Sequence, residues 1–237
     1  MPTTVKGQPT SAEVRQALAK EGRPVLVSMS LGKDAIATEL ALQDSGIPTE
    51  LVFLYLIPGL PFVEDTRKRL EDDLGKTIHQ YPHPSLFRLL NALVFQPPER
   101  CAVIEAAQLP TPTYDQTWEL IKDDLDLPQD TWQADGVRAA DSIVRRASLT
   151  KHGVMKRSNH KVSPIHDWLK GEVMDCIDRH EVALPVDYEW FGRSFDGIDY
   201  RFLAPLKEHS PRDYARVLDW FPLADLEIFR HNMQEAA

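Results

Sequence analysis

The sequence predicts an α/β protein built on a doubly wound parallel sheet. Two runs carry the prediction first: Val25-Leu26-Val27-Ser28 and Leu51-Val52-Phe53-Leu54-Tyr55-Leu56 are continuously apolar, as strands buried on both faces are. Each is followed by a stretch with helical spacing, residues 33–42 and residues 63–74, the second closed by Gly75. Residues 76–81 then alternate as a third strand does. Strand, helix, strand, helix, strand with short connections winds into a parallel sheet through right-handed crossovers.

Composition sets the bounds. The 237 residues suffice for one large α/β domain, or one domain with an appendage. Apolar content of 43% and charged content of 27% are those of an ordinary globular chain. No run approaches the roughly 18 apolar residues of a membrane span. The first residues lack the apolar core of a secretory signal, so a cytoplasmic location and no membrane partner are the expectation. Cys101 and Cys176 are too few and too far apart for a disulfide framework or a paired-cysteine metal site. A net charge of −9 argues against non-specific nucleic-acid binding by the whole surface, while local basic patches can still act.

In chain order, a polar tail precedes a serine-capped helix that begins at Ser11 and ends near Gly22. The first strand then breaks into Ser28-Met29-Ser30-Leu31-Gly32-Lys33-Asp34, and a helix follows, with Gly46 as its stop. A strand, tight loop and helix place free N–H groups around an anion at the helix N-terminus. Ser28 and Ser30 add hydroxyl donors, and Gly32 allows close backbone approach. Lys33 supplies a cation, and Asp34 a carboxylate for a cap or a metal such as Mg²⁺. The loop is not a Walker loop, and an ordinary serine-capped connection is the alternative.

The strand rhythm disappears over residues 84–130. Helices over residues 86–95 and 114–125, separated by proline-rich joints, read as a helical insertion, with Trp118, Leu120, Ile121 and Leu125 near one side of the second. The next informative stretch, residues 132–146, reads as a strand ending at Gly136 and then a helix. It places Arg138 near the carboxyl end of the sheet, where open α/β folds bind ligands. Residues 145–161 hold six Lys/Arg (Arg145, Arg146, Lys151, Lys156, Arg157, Lys161), two His and no carboxylate. They read as a mobile basic loop, either a lid over an anion or simply a solvated segment.

Two of these strings have a precedent. Ser30-Leu31-Gly32-Lys33-Asp34 resembles the PP-loop, the pyrophosphate-binding Ser-Gly-Gly-x-Asp-Ser signature of ATP pyrophosphatases, with Leu31 at a family glycine and Ala35 at the final serine. Within that superfamily the match is to the phosphoadenylyl-sulfate (PAPS) reductase branch. Gly136, Arg138, Asp141, Ser142 and Arg145 fill that family's Gly-x-Arg-x-x-(Asp/Glu)-Ser-x-x-Arg motif, and Pro164-Ile165-His166-Asp167-Trp168 resembles its Pro-Ile-x-Asp-Trp segment. There Asp167 is read as a helix cap and Trp168 as a cover for the core.

The resemblance spans residues 25–188. It implies an adenine nucleotide alpha hydrolase-like fold over residues 1–188 and a packed C-terminal extension over residues 189–237. It further implies ATP or a related adenine nucleotide with Mg²⁺, held by Ser28, Ser30, Leu31, Gly32, Lys33, Asp34, Gly136, Arg138, Asp141, Ser142 and Arg145. Lys33, Asp34, Arg138 and Arg145 are the implied catalytic groups, and Asp34 the implied Mg²⁺ ligand.

The family's C-terminal cysteine tail is missing, since no cysteine follows Cys176, and so are the cysteines of an iron–sulfur cluster. The expectation is therefore an enzyme that cleaves the α–β phosphate bond of ATP and adenylates an acceptor, a small molecule or a base in nucleic acid docked along residues 145–161. The alternatives are a sulfonucleotide reductase using Cys101 or Cys176, and a nucleotide-binding sensor or partner subunit without turnover. The aromatic-rich end (Trp190, Phe191, Phe195, Tyr200, Phe202, Tyr214, Trp220, Phe221, Phe229) reads as core packing or a homo-oligomer interface. Ser210-Pro211 there starts a helix.

Overall fold

The structure is a computed structural model that describes residues 4–192 and 197–235. In chain order its elements are α1 (Ser11–Glu21), β1 (Val25–Ser28), α2 (Lys33–Asp44), β2 (Thr49–Tyr55), α3 (Pro61–Leu74), β3 (Ile78–Pro82), α4 (Pro84–Asn91), α5 (Pro98–Ala107), α6 (Tyr114–Asp124), β4 (Gln133–Ala134), α7 (Ile143–His152), β5 (Met155–Lys156), β6 (Lys161–Val162), α8 (Lys170–Arg179), α9 (Asp187–Phe191), α10 (Tyr200–His209), α11 (Pro211–Trp220) and α12 (Asp225–Glu235). The sheet order is β3-β2-β1-β4-β6-β5. β1 runs parallel to both β2 and β4, β4 parallel to β6, and only β5 is antiparallel to its neighbour. This is the doubly wound α/β architecture that the apolar strands predict.

The chain divides into two compact units. The first gathers residues 1–54, 70–81 and 118–184 and carries the body of the sheet. Leu26 and Val27 point to opposite faces of β1 and both are fully buried, so both faces are covered. On one side Leu26 and Val52 pack with Trp118 and Ile121 of α6, and with Leu54, Tyr81, Leu125 and Leu127. Leu120, expected on that side, is 63% exposed. α2 lies against β1 and α8, and it is buried at every position from 35 to 42. Ala35, Ala37 and Ala41 keep it slim enough to be enclosed on all sides.

Two local expectations change here. The cap of α1 is Thr10, not Ser11: its hydroxyl accepts from Glu13 N while the Glu13 carboxylate accepts from Thr10 N. Ser11 is instead buried, its N–H donating to Asp167 Oδ2 at 3.0 Å and its hydroxyl to Oδ1. Asp167 therefore braces the start of α1 rather than that of α8, and Trp168, which is only half-buried, lies under the Arg15 guanidinium at 5.3 Å.

The second unit gathers residues 55–69, 82–117 and 185–237, and apart from the strand ends Tyr55 and Pro82 its regular elements among the described residues are helices. Its core is aromatic: Phe62 meets Trp190 at 5.4 Å, Phe191 meets Phe202 at 5.5 Å, and Phe221 is fully buried. Gln96 and Arg100 donate to the carbonyls of Trp220 and Asp219 at 2.9 and 2.6 Å, tying α5 and the segment before it to the end of α11. Phe229 is 62% exposed, while Phe195 lies outside the described residues. Among the described residues no helix is long and apolar enough to cross a membrane.

Candidate functional site

β1 is the strand at which the winding reverses. From β1 the chain goes by way of α2 to β2 on one side, whereas its other neighbour is β4, reached only much later in the sequence. The carboxyl ends of β1 and β4 therefore border the crevice that a doubly wound sheet opens to ligands. Both motif strings sit on the loops that leave these two ends.

The loop after β1 is short and tightly wound. Met29 N donates to Val52 O at 2.8 Å, extending the sheet by one residue, and Ser30 N turns back to Ser28 O at 3.2 Å. Leu31 has φ 61, the left-handed region that glycine enters freely. The side chain at this motif-glycine position is thus carried at a backbone cost of about 1–2 kcal/mol, and it is buried. Gly32 is the N-cap of α2, with φ −83 and ψ 162, and no side chain caps the helix. Ser28 is half-buried and Ser30 exposed.

The loop after β4 is braced from several sides. Asp135 N pairs with Val162 O, and the Asp135 carboxylate accepts from Val137 N at 3.1 Å and Ser163 Oγ at 2.7 Å. Burial pushes this carboxyl above its ordinary range, against those hydrogen bonds and the charges of Lys156 and Lys161. Gly136 passes so close to the first turn of α2 that a Cβ there would lie 2.8 Å from Asp34 C and 2.9 Å from Asp34 O. The loop is held on its other side by Ala139 N to His166 O at 2.7 Å and Arg138 Nη1 to Trp168 O at 3.4 Å.

Across the crevice runs a chain of alternating charge. Lys33 Nζ is 2.6 Å from Asp34 Oδ2, and Asp34 Oδ1 is 2.9 Å from Arg138 Nε. Arg138 Nη2 is 2.6 Å from Asp141 Oδ1, and Asp141 Oδ2 is 2.6 Å from Arg145 Nη1. Three cations alternate with two carboxylates, an excess of one positive charge. The Arg138 side chain is 5% exposed and that of Arg145 52%. The central pair is incomplete, because Asp34 Oδ1 and Arg138 Nε are buried and close but make no aligned hydrogen bond. Buried polar atoms in that condition are uncommon.

The implied Mg²⁺ does not fit this arrangement. Both oxygens of Asp34 lie against cations, and no other carboxylate is near enough to it to form the group of ligands a hard cation needs among the described residues.

The structure thus places the predicted set on two neighbouring segments: Ser28, Ser30, Leu31 and Gly32 on the loop after β1 with Lys33 and Asp34 in the first turn of α2, and Gly136, Arg138, Asp141 and Ser142 on the loop after β4 with Arg145 in the first turn of α7. Three readings change. The stretch after Gly136 is an irregular loop, and the helix begins only at Ile143, capped by Ser142, whose hydroxyl accepts from Arg145 N at 3.1 Å. Residues 145–161 are the helix α7 and the β5–β6 hairpin rather than a loop. Nor do the lysines of this stretch lack a carboxylate, since Lys156 and Lys161 act on Asp135. Sequence reasoning missed Asp135 itself and the bridging role of Asp141. The signal for the second was present in the three- and four-residue spacings Arg138–Asp141 and Asp141–Arg145.

The sequence matches no family model and no curated protein. Among solved structures, the chain is similar to an NH3-dependent NAD synthetase from Campylobacter jejuni subsp. jejuni NCTC 11168, in complex with the nitrate ion. The likeness covers 95% of this chain and 93% of that one, at 12% identity and a TM-score of 0.46. A second similarity is to a predicted subunit of tRNA methyltransferase from Methanocaldococcus jannaschii DSM, over 81% of this chain and 91% of that one, at 19% identity and a TM-score of 0.34. At these TM-scores neither bears on what this chain does.

Proposed function

We propose that the chain binds an adenine nucleotide across the carboxyl ends of β1 and β4 and transfers its adenylyl group to an acceptor. The observation that carries the reading is the meeting of α2's N-terminus with the buried Arg138 at the reversal point of the sheet. Parallel strands, a helix start without a side-chain cap and an excess of positive charge together suit a polyphosphate. A phosphate oxygen accepting from Arg138 Nε would complete the hydrogen bonding that Asp34 leaves unfinished. The preference for adenine rests on the two motif strings.

In this reading the loop from Ser28 to Asp34 holds the β- and γ-phosphates, with Lys33 and the N–H groups of α2 as donors. Arg138 and Arg145 sit on the α-phosphate side. An acceptor oxygen or nitrogen attacks the α-phosphorus, the bond from that phosphorus to the bridging oxygen breaks, and pyrophosphate leaves with the electron pair. Charge building on the leaving group is offset by Lys33, Arg138 and the helix terminus, donors fixed before the reaction begins. Asp34 and Asp141 position the two arginines. The acceptor docks along α7 and the hairpin, where Arg145, Arg146, Lys151 and Arg157 are exposed beside Ile143 and Val144.

A nucleotide-binding subunit without turnover is the second reading, favoured by Asp34 having both oxygens occupied by cations. The thiols give the reductase reading no such support. Burial pushes Cys176 away from the thiolate form, and Cys101 Sγ lies 3.4 Å from Pro97 O.

Calorimetry with ATP tests the binding. Gly32→Val should weaken it at least tenfold, about 1.4 kcal/mol, and unchanged affinity in a folded variant would refute the site. Pyrophosphate release from ATP with a candidate acceptor separates the enzyme from the subunit.

A further inference from the structure

The far end of α2 holds a second cluster that the nucleotide reading does not use. Asp44 is the last residue of α2. Cys176 and His180 stand four residues apart at the end of α8, so they share one face. One ligand atom from each, an Asp44 oxygen, Cys176 Sγ and a His180 ring nitrogen, lie within 4.8 Å of one another. We propose that Asp44, Cys176 and His180 bind one divalent transition-metal ion of the zinc class, fastening the C-terminal end of α2 to α8.

Geometry and donor chemistry agree. Metal–ligand bonds of about 2.0–2.3 Å around a tetrahedral ion put neighbouring ligand atoms roughly 3.5 Å apart, within small side-chain rotations of the present positions. His180 Nε2 is 3.0 Å from Asp44 Oδ1, and it is buried without an aligned hydrogen bond. An imidazole nitrogen and a carboxylate oxygen that face each other without an aligned hydrogen bond are a donor pair that an ion can bridge. A sulfur, nitrogen and oxygen set selects zinc, cobalt and their neighbours over magnesium or calcium, which take oxygen ligands.

Charge agrees as well. Bound as thiolate and carboxylate, Cys176 and Asp44 neutralise a divalent ion, so a half-buried site carries no net charge. Binding releases the thiol proton to solvent. Water fills the fourth position on the open side, where the Asp44 side chain is 42% exposed.

Arg179 stands in for the ion until it arrives. Its Nη2 is 3.3 Å from Asp44 Oδ2, and its charge acts on Cys176. Its side chain is 65% exposed and can swing into solvent. α2 separates this cluster from Lys33 by roughly 16 Å, at 1.5 Å per residue. The ion therefore takes no part in chemistry at the nucleotide.

The test uses the full chain, stripped with chelator and titrated with Co²⁺ alone. The expected result is one equivalent of tetrahedral cobalt absorption with a thiolate-to-cobalt charge-transfer band, abolished by Zn²⁺. Cys176→Ser should remove the charge-transfer band, while Cys101→Ser should keep it. Asp44→Asn and His180→Gln should weaken binding at least tenfold, and Arg179→Ala should tighten it severalfold. If Cys176→Ser does not fold, the partly exposed His180→Gln carries the test: Zn²⁺ should raise the melting temperature of wild type and leave that of His180→Gln unmoved. Absence of the charge-transfer band in folded wild type, its persistence in Cys176→Ser, or equal Zn²⁺ stabilisation of wild type and His180→Gln would each overturn the proposal.

Discussion

α2 and α7 begin in the same way and end up differently equipped. Each follows one of the two adjacent parallel strands, β1 or β4, and each starts beside the crevice. The first turn of α7 is served by its own chain, with the Ser142 hydroxyl on Arg145 N. That of α2 starts at Gly32 and has no side-chain cap. α2 is buried from position 35 to 42, whereas Leu149 is the one buried residue of α7. A helix sunk in the core with an uncapped start is rigid and has donors to offer. A capped helix on the surface has side chains to offer instead. The proposed reading follows this difference, with the phosphates at α2 and the acceptor along the exposed basic face of α7.

Removing Arg138 strikes where the two loops join and should have the largest effect. Arg138→Ala leaves Asp34 and Asp141 without their shared cation, and a loss of about 3 kcal/mol in urea unfolding is expected. ATP affinity should fall at least a hundredfold, about 2.7 kcal/mol. Arg138→Lys should not rescue it, since a single ammonium cannot span both carboxylates.

Gly136→Ala comes next. Its Cβ meets backbone of Asp34, which cannot rotate away, so about 1–3 kcal/mol of stability should go. ATP affinity should drop with it, because the clash displaces the first turn of α2. Wild-type binding in a folded Gly136→Ala would detach the two loops from each other.

Ser142→Ala sharpens the contrast from the α7 side. Loss of the cap should cost about 1 kcal/mol in thermal unfolding while ATP affinity changes little, because that hydroxyl is already spent on Arg145 N. A large loss of affinity at unchanged stability would return Ser142 to the nucleotide.

Asp135→Asn reads the β4 loop through pH. Burial raises this carboxyl in the folded chain, so the folded state holds its proton more tightly than the unfolded one. That contribution to stability is present below the unfolded carboxyl range and is lost as pH rises through the folded value. The variant should therefore melt with wild type in acid and above it near neutrality. Equal melting temperatures at both ends of the range would show that the carboxyl is not desolvated.

The sequence revealed the winding because continuous apolar strands and spaced helix faces are local signals. It revealed both loops because their glycines, arginines and serines fall in recognisable strings. It placed a helix after Gly136 but not the bounds of α7, which runs from Ile143 to His152, since a helix burying Leu149 alone has no apolar stripe and its basic residues look like a loop. Nor did it reveal β5, two residues long and too short for alternation to register. The pairing of β4 with β1 is a tertiary fact, and so is what depends on it: the contact of Gly136 with Asp34, and the reach of Arg138 to Asp34 across the crevice.

The central claim is that the uncapped start of α2, and not the capped start of α7, receives the phosphates. Backbone amide shifts of the ¹⁵N-labelled chain, followed during titration with ATP and then with pyrophosphate alone, test it directly. The largest shifts are expected at Gly32, Lys33, Asp34 and Ala35 with both ligands, and much smaller ones at Ser142, Ile143 and Val144. Largest shifts at the start of α7, or none at the start of α2 under saturating ATP, would contradict the account.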